Sequence, residues 1–479
     1  MALSQEPYAY WFLIFFPIAA IYFLLNNYRI TNDSLYLKTW IASWIIYSII
    51  LCDWISYFGY AALAAFALCQ GFFAFSFAYI YKKITKTSPL VFAFAFVAFE
   101  WILSHLPVIA FSWLNLSTVG LNIPILNKYA RFGGGAALTF LIVFISALMI
   151  EHLPFLFSLG KRINYKKLVS TIAILIISMM ISLMSFNTSD NKVSIAVVQG
   201  NDKNRYLTNE EIENEYLTNS HLDLASKIYD PVDFIVFPES GLDSSPKQDR
   251  ALRVRLKLIA EKTNKLLIVN AIEETDKGNF NRNFLYSSEM ELLGTYDKKR
   301  LVPFGEYVPA KKIIGFLPIF DQIGEGFISG TSNKTINGVA TVICYESTFS
   351  RDVRRALGNN AKILVVTTNN RSYRNSGNSK QHVAQTRLRS LEFGISSVQS
   401  SISGPSALID NKGNIVSKSQ MFERTTLKGE LPFGKANSFY AKTFDWLSYL
   451  AILVVGYQCL NQTSFIKRLS KWRNQIQRK

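Results

Sequence analysis

The sequence predicts a bundle of transmembrane α-helices joined to an α/β domain. Hydrophobic residues make up 49% of the 479 residues, and they occur in long blocks rather than scattered along the chain. Residues 187–438, in contrast, alternate short β-branched runs with polar, helix-like stretches. Blocks of the first kind are typical of membrane-spanning helices, and alternation of the second kind is typical of a layered α/β domain.

Seven apolar blocks approach the length of about 20 residues that a helix needs to cross a bilayer. The stretch before the first block has no Lys or Arg, so it does not look like a cleaved signal peptide. The second block is the shortest. We expect spans near Tyr8–Leu25, Lys38–Leu51, Ser56–Tyr81, Pro89–Leu106, Phe132–Leu153, Leu168–Phe186 and Tyr440–Leu460.

The connections between these blocks alternate in charge. Basic residues fill the connections at Lys82–Lys86 and Lys161–Lys167 and the tail from Lys467, whereas the intervening connections hold few. Because cytoplasmic loops carry the excess of Lys and Arg, the amino terminus is expected outside and the carboxyl terminus in the cytoplasm. The polar domain then faces the periplasm of a double-membraned bacterium, and the multi-pass protein lies in its inner membrane.

The charge and the cysteines exclude several classes of protein. The net charge is +17, but the basic residues lie largely beside apolar blocks, where they meet lipid headgroups. No nucleic-acid recognition motif of the usual kinds is present, so we expect no nucleic-acid partner. Of the four cysteines only Cys344 lies in the polar domain, which therefore has no disulfide framework. No cluster of His and Cys suggests a metal, and we expect no cofactor.

The polar domain is predicted to contain short strands separated by amphipathic helices, with Gly, Pro and Asn at the joins. The predicted strands are Val193–Gln199, Asp233–Pro238, Leu266–Ile272, Asn283–Glu289, Val339–Tyr345, Lys362–Thr368, Ile395–Ser401 and Ser406–Asp410. The predicted helices are Asn209–Ile228, Lys247–Asn264 and Lys380–Phe393.

Three residues with reactive side chains follow hydrophobic runs. Glu239, Lys298 and Cys344 each stand where an α/β sheet usually presents its site. A Cys nucleophile needs a base, for which Glu239 is the candidate. An oxyanion needs positive charge and N–H groups, and Lys298 fits that role, with Glu306 or Glu346 keeping it charged. Singly, each is more often a turn residue, an exposed basic residue or a buried small residue; together they indicate nucleophilic catalysis.

The chain resembles the apolipoprotein N-acyltransferase family, a membrane branch of the nitrilase (carbon-nitrogen hydrolase) superfamily. The likeness extends over most of the sequence and is most specific at residues 298–309. The segments that carry it are Leu301–Pro309, Phe237–Glu239, Ile343–Glu346, Val198–Asn201, Phe99–Trp101 and Ser112–Leu114.

The resemblance implies a nitrilase-like αββα sandwich and a Glu–Lys–Cys triad at Glu239, Lys298 and Cys344. Supporting positions fall at Glu306, Tyr345 and Glu346. The implied domains are a transmembrane bundle of about six helices over residues 1–186, an extracytoplasmic catalytic domain over 187–438, and a last helix with a basic tail over 439–479. The implied reaction moves a fatty acyl chain from a phospholipid, phosphatidylethanolamine above all, through a Cys344 thioester to the amino terminus of a diacylated apolipoprotein.

The sequence also departs from the family pattern. The family usually shows eight spans, and its first span has no counterpart here. Asn370 and Ser372 replace the acid and the tryptophan of an Asn-Asp-x-Trp-Phe segment, and Gln399 replaces a basic residue. Gly324, Gly326 and Gly330 around Phe327 suggest either a lid hinge or a plain surface turn.

Other functions fit the same residues less well. A membrane-tethered amide hydrolase would use the same triad with water as the acceptor, but small soluble amides need no bilayer. A non-catalytic binder would explain the departures but not the intact triad. A transporter would need charges inside the membrane, and the apolar blocks hold few.

Overall fold

A computed structural model of the chain describes residues 1–157, 180, 189–263, 266–316, 323–332 and 335–461. The chain divides into two compact units. The first contains Met1–Leu106, Ala110–Ser185 and Lys442–Lys479, and the second contains Pro107–Ile109 and Phe186–Ala441. The described part of the first unit is helical, and the second unit contains the sheets. The predicted fold class, a helical bundle with an α/β domain, is confirmed.

The first unit consists of apolar helices with short connections. Its described helices are α1 (Phe15–Thr31), α2 (Ser34–Leu51), α3 (Tyr60–Lys82), α4 (Pro89–His105), α5 (Ser117–Gly120), α6 (Ala130–Phe157) and, near the end of the chain, α14 (Trp446–Leu460). By length and composition, four described helical segments can cross a membrane: Trp11–Thr31, Ser34–Leu51, Tyr60–Lys82 and Asn127–His152. Pro89–His105 and Trp446–Leu460 are shorter apolar helices. The span predicted at Leu168–Phe186 lies outside the described residues, except for Met180.

Polar capping residues fix the amino-terminal ends of α2 and α4. Asp33 accepts a hydrogen bond from the Leu35 amide at 2.8 Å, so α2 begins at Ser34, one turn before the predicted Lys38. Ser88 accepts from the Val91 amide at 3.2 Å and is followed by a proline at the first helical position. The second predicted span is therefore longer than its apolar block, and a polar cap explains the difference.

A buried carboxyl group cross-links the first unit. Glu100 on α4 accepts hydrogen bonds from the Leu116 amide and from the Thr139 hydroxyl, both at 2.7 Å. The side chain is 6% exposed, and Trp113 and Leu114 nearby in the sequence are also buried. The segment after α4 is thus a packed loop tied to α4 and α6.

The described strands of the second unit form two sheets. They are β1 (Lys192–Gln199), β2 (Phe234–Val236), β3 (Leu266–Thr275), β4 (Gly278–Tyr286), β5 (Leu292–Asp297), β6 (Val339–Ile343), β7 (Ile363–Thr368), β8 (Ser396–Ser401), β9 (Ala407–Ile409), β10 (Ile415–Lys418) and β11 (Thr425–Pro432). The first sheet has the order β11-β1-β2-β3-β4-β5 and the second has the order β10-β9-β8-β7-β6. In each sheet three neighbouring strands are parallel: β1, β2 and β3 in the first, and β6, β7 and β8 in the second.

Helices flank both sheets in four layers. The described helices of this unit are α7 (Asn209–Glu213), α8 (Tyr216–Ser226), α9 (Arg250–Thr263), α10 (Lys311–Ile314), α11 (Ser350–Leu357), α12 (Asn378–Phe393) and α13 (Phe439–Thr443). Ile195 and Val236 of the first sheet pack with Val365 and Val398 of the second, which forms the inner core. The outer faces pack on α8 and α9 in the first sheet and on α12 in the second. This is the αββα arrangement.

The parallel strands bring the candidate residues to one edge. The carboxyl ends of β2, β6 and β7 are followed by Glu239, Cys344 and Asn369. Strands β6 and β7 are parallel neighbours in the second sheet, so Cys344 and Asn369 lie at the same edge, where α/β folds place their sites. Strand β2 belongs to the first sheet, and the hydrogen bond from the Asn369 amide to Glu239 shows that its end meets the same edge. The hydrophobic runs thus fix the position of the polar residues that follow them.

The structure differs from the predicted elements in several places. Strand β4 begins at Gly278 rather than Asn283, and β5, β10 and β11 were not predicted. The helix predicted at Asn209–Ile228 is broken, because Glu215 adopts a left-handed conformation with φ of 50° between α7 and α8. In β5, Gly294 breaks the β-branched pattern, and a Cβ atom there would collide with Ile336.

Candidate active site

A buried lysine forms the centre of the site. Lys298 directly follows β5, and its side chain is 1% exposed. Its Nζ lies 3.0 Å from Glu239 Oε1 and 2.6 Å from Glu306 Oε1. The structure therefore brings together the predicted base, the predicted lysine and one of the two acids proposed to hold it.

The lysine remains cationic in this environment. Burial by itself lowers the pKa of Lys298, but the charges of Glu239 and Glu306 outweigh burial and raise that pKa well above its ordinary value. A permanent ammonium group at this point can stabilise negative charge that develops on a reacting carbonyl oxygen.

The thiol of Cys344 lies at a sharp turn beside this cluster. Strand β6 ends at Ile343, and Cys344 has a φ of 52°, a conformation that residues other than glycine seldom adopt. Its Sγ accepts a hydrogen bond from the Thr368 hydroxyl at 3.4 Å. The thiol is close enough to Glu239 and Lys298 for both charges to act on its pKa. The three triad candidates thus meet in one place.

The thiol is protonated before substrate binds. Burial raises the pKa of Cys344 to about 12, the charge of Glu239 raises it further, and Lys298 and the Thr368 hydroxyl oppose them. At neutral pH a thiol with so high a pKa is protonated. A nucleophilic role therefore requires that a base take the proton as the bond forms, and Glu239 is the carboxylate in position.

Buried amide groups orient Glu239. The Asn281 side chain donates to Glu239 Oε1 at 2.7 Å, and the Asn369 amide donates to Oε2 at 2.8 Å. The Asn270 amide in turn donates to Asn281 Oδ1 and to Asn283 Oδ1, both at 2.9 Å. Both carboxylate oxygens are thus fixed, and these asparagines were missed by the sequence analysis. Asn270 and Asn283 lie within runs predicted as strands, whereas Asn281 and Asn369 lie just outside such runs.

Glu346 braces the strand ends. Its Oε1 accepts from the amides of Lys299 and Arg300 at 2.8 and 3.1 Å, and its Oε2 accepts from the Ile343 amide at 2.8 Å. The Tyr296 hydroxyl donates at 3.0 Å. Burial raises the pKa of Glu346 to about 7, although the backbone N–H groups oppose this shift. Of the two acids proposed to hold Lys298, Glu306 therefore contacts the ammonium, whereas Glu346 ties the end of β5 to the turn at Cys344.

Tyr345 lies at the same turn. Its half-buried ring packs edge-to-face on Phe349, with ring centroids 5.0 Å apart. The proposal that its backbone N–H stabilises an oxyanion stays a prediction.

His382 lies beneath the nucleophile and was also missed. On α12, its ring nitrogens contact the Cys344 carbonyl at 3.1 Å, the Ser347 hydroxyl at 2.8 Å and the Thr368 hydroxyl at 3.2 Å. Burial lowers the pKa of His382 to about 4, so the ring is neutral at pH 7. Its contacts hold the backbone of the turn rather than the thiol. A histidine at the start of the predicted helix Lys380–Phe393 was the only sequence signal.

The residues that depart from the family pattern lie next to this site. Asn370 Oδ1 accepts from the Thr368 hydroxyl at 2.8 Å and lies 3.4 Å from His382 Nδ1. Gln399 is buried in β8, where its Oε1 accepts from the Thr386 hydroxyl at 2.6 Å. Ser372 is half-buried in the turn after β7. The side-chain oxygens of Asn370 and Gln399 thus each accept an internal hydrogen bond, whereas Asn370 Nδ2 has no partner among the described residues.

The segment around Phe327 is anchored to the strand that carries the lysine. The Phe327 amide donates to the Glu306 carbonyl at 2.8 Å, and the Gly330 amide donates to the Lys298 carbonyl at 2.9 Å. A Cβ atom at Gly330 would overlap the Asp297 backbone, so this close approach requires glycine. Within the described ranges, no group of three or more His, Cys, Asp and Glu side chains is arranged to hold a metal ion.

Two family models match the chain. The model described as the apolipoprotein N-acyltransferase N-terminal domain matches residues 1–148, and the model described as carbon-nitrogen hydrolase matches residues 194–440. The second match covers more than half of the chain and contains all three triad candidates.

Individual proteins also align with the chain. An apolipoprotein N-acyltransferase from Haemophilus ducreyi is 24% identical over 414 residues, covering 83% of this chain and 80% of its own. One from Haemophilus influenzae is 24% identical over 465 residues, covering 88% and 85%. The crystal structure of an amidase from Nesterenkonia sp. aligns over 52% of this chain and 94% of its own, at 19% identity and a TM-score of 0.38.

The raised pKa of Cys344 predicts an unusual pH profile for alkylation. The ordinary cysteine pKa is about 8.5, so the alkylation rate of a small free thiol should stop rising near pH 9. The alkylation rate of Cys344 should instead rise about tenfold per pH unit up to pH 10. Lys298→Met should slow the reaction at every pH, since the ammonium lowers the thiol pKa. Iodoacetamide labelling of the Cys344 peptide, followed by mass spectrometry, measures this. A plateau near pH 8 in the wild type would show a resting thiolate and contradict the protonated thiol.

The bracing role of Glu346 predicts a loss of stability on a conservative change. Glu346→Gln leaves one backbone N–H facing an amide N–H₂ group, which should lower the free energy of unfolding by about 2 kcal/mol. Glu325→Gln removes the same charge from a fully exposed side chain and is the matched control. Thermal unfolding of both variants in detergent tests this, and equal melting temperatures would refute the assignment.

Proposed function

The chain belongs to the carbon-nitrogen hydrolase family, in its apolipoprotein N-acyltransferase branch, and on that premise we propose how it acts. It transfers a fatty acyl chain from a membrane phospholipid to the amino terminus of diacylglyceryl-cysteine apolipoproteins, through a thioester at Cys344. The observation that carries this proposal is the buried cluster in which Lys298 lies between Glu239 and Glu306 beside the Cys344 thiol.

The first half-reaction forms the thioester. Glu239 accepts the thiol proton while the sulfur attacks an ester carbonyl of the phospholipid. Lys298 and a backbone N–H, for which Tyr345 is the candidate, stabilise the oxyanion. When the intermediate collapses, the carbon–oxygen bond breaks, Glu239 returns the proton to the leaving alkoxide, and lysophospholipid departs. Phosphatidylethanolamine is the proposed donor.

The second half-reaction uses the acceptor amine. The neutral α-amine of the diacylated cysteine attacks the thioester, and Glu239 takes the proton that the nitrogen loses. Collapse forms the amide and expels the Cys344 thiolate, which recovers its proton from Glu239. The enzyme thus alternates between two forms, so ping-pong kinetics follow.

The membrane fixes both substrates near the catalyst. The chain is a membrane protein of this family, and its charge pattern supports placement in the bacterial inner membrane, with the catalytic domain in the periplasm and the carboxyl terminus in the cytoplasm. The division at residues 1–186, 187–438 and 439–479 belongs to this proposal. Donor and acceptor both carry acyl chains, so neither needs to leave the bilayer.

The thioester itself is the test of this function. Wild-type protein incubated in detergent with phosphatidylethanolamine should gain one acyl mass, which hydroxylamine removes and a diacylated lipopeptide accepts as an amide. Cys344→Ala should gain none, and Cys459→Ala, which removes a thiol of the first unit, should behave as wild type. Intact-mass spectrometry of the wild type and of both variants measures the added acyl mass.

The outcomes separate the alternatives. An added mass on Cys344→Ala would mean that the nucleophile lies elsewhere. A thioester that forms but is released only to water, with no lipopeptide product, would favour the amide hydrolase or esterase. No adduct and no consumption of phospholipid would favour a binding protein.

The hydrogen bond from Asn281 predicts a positioning effect. Asn281→Ala removes one donor to the Glu239 carboxylate, and a bond to a charged group contributes about 1.5 kcal/mol or more, so thioester formation should slow about tenfold. The KM for phospholipid should not change, whereas the melting temperature should fall, because Asn270 loses its acceptor on Asn281. Asn279→Ala, an exposed position on the same strand, is the control. An unchanged rate would show that Asn369 alone orients the base.

A further inference from the structure

The connection after β7 borders the triad at both ends. At its start, the Asn369 amide donates to Glu239 Oε2 at 2.8 Å. Four residues later, burial raises the pKa of Tyr373, and the nearby Cys344 and Glu239 raise it further while Lys298 opposes. The short helical turn Arg371–Tyr373 therefore begins two residues after a contact with Glu239 and ends at a tyrosine near the reacting groups.

Two arginines of this connection gather around one aromatic ring. The guanidinium carbon of Arg374 lies 4.8 Å from the centroid of the Tyr206 ring. Arg371 is half-buried with Asp243 and Tyr206 as its charged and titratable neighbours, and burial lowers its pKa. Asp243 Oδ2 already accepts two hydrogen bonds from Thr218. Both guanidinium groups thus lie near the Tyr206 ring, and Asp243 is the carboxylate near Arg371.

Polar atoms without partners are concentrated in the same connection. Among the residues that the structure describes, Arg371 Nε and Asn370 Nδ2 are buried and have no hydrogen-bond partner. The same holds for both amide atoms of Asn378 and for the Ser379 hydroxyl, in the first turn of α12. Asn378 lies one turn before His382, so both project from the helix face that meets the site. Buried donors of this kind normally have a partner, and a polar ligand would supply one.

We propose that Arg371 and Arg374 form a subsite for the phosphodiester of the donor phospholipid. This inference rests on the proposed function and names the part of the donor that the enzyme recognises. A guanidinium group matches phosphate oxygens in a two-pronged geometry, and its positive charge is complementary to the negative charge of a phosphodiester.

The distances within the donor agree with this position. In a glycerophospholipid the ester carbonyl and the phosphorus are separated by about six bonds, roughly 7 Å when extended. An ester carbonyl held at Cys344 therefore places the phosphate near the turn that begins at Asn369.

The charge favours the donor over the acceptor. The acceptor amine is cationic in solution, and positive charge beside the thioester disfavours its approach in that form. The phosphodiester carries a negative charge throughout the reaction, and the same positive charges attract it. Position 372, where the family pattern has tryptophan, holds a serine here, so both arginines flank a small side chain.

The test separates the two half-reactions kinetically. Arg371→Gln combined with Arg374→Gln should raise the apparent KM for phosphatidylethanolamine in thioester formation about tenfold, with the limiting rate within twofold of wild type. Arg250→Gln combined with Lys257→Gln removes the same charge from exposed positions on α9 and should have no effect. Arg371→Lys keeps the charge but not the two-pronged geometry and should give an intermediate KM. This single variant also tests the proposal if the double variant does not fold.

Two further donors identify the recognised group. A diacylglycerol, which has the esters but no phosphate, should react equally with the wild type and the double variant. Inorganic phosphate at millimolar concentration should leave the phospholipid KM unchanged; strong competition by it would mean that the site binds free phosphate and would overturn the proposal.

Other results would also overturn it. An unchanged donor KM in the double variant rejects the subsite, and a raised lipopeptide KM alone in the second half-reaction assigns these arginines to the acceptor. If wild-type protein forms no thioester from any phospholipid, the proposed function itself has failed. Normal thioester formation with no effect of the variants rejects only this inference.

Discussion

The site depends on the burial of one ammonium group. Lys298 is almost completely enclosed, and an isolated charge in such a place costs several kcal/mol. The cost is offset only because Glu239 and Glu306 lie at hydrogen-bond distance on two sides. Glu306 Oε2 in turn accepts from the Val302 amide at 2.8 Å, which fixes the turn that follows the lysine. The charge therefore constrains three chain segments at once.

The sheets supply the rigid frame that this cluster requires. Glu239 and Cys344 follow parallel strands of different sheets, and the inner core between the sheets fixes the separation of those strands. Glu346 then ties the last residues of β6 to the segment after β5. Holding Cys344 at a positive φ costs about 1–3 kcal/mol, and contacts from the surrounding structure, including His382 on its carbonyl, keep the turn in place.

The sequence predicted the triad but not its supports. Glu239 and Cys344 follow or end hydrophobic runs that were predicted as strands, a pattern that is visible without knowledge of strand pairing. Lys298 follows β5, which was not predicted, and the segment at residues 298–309 indicated it instead. Asn281 donates to the base only because β3 and β4 pair in one register, and register depends on contacts between residues distant in the chain. His382 acts through a helix that packs beneath the turn. Supports of this kind arise from tertiary packing, and one-dimensional patterns do not record packing.

Acyl transfer at this site is compatible with a thiol that is inert at rest. The thiolate is the form that oxidants and electrophiles attack, and burial keeps Cys344 protonated at neutral pH. In the proposed mechanism, Glu239 makes the thiolate only while a carbonyl carbon is positioned to receive it. A high thiol pKa slows the resting nucleophile, and in the same mechanism it protects Cys344 between reactions, because the protonated thiol is not the form that oxidants attack.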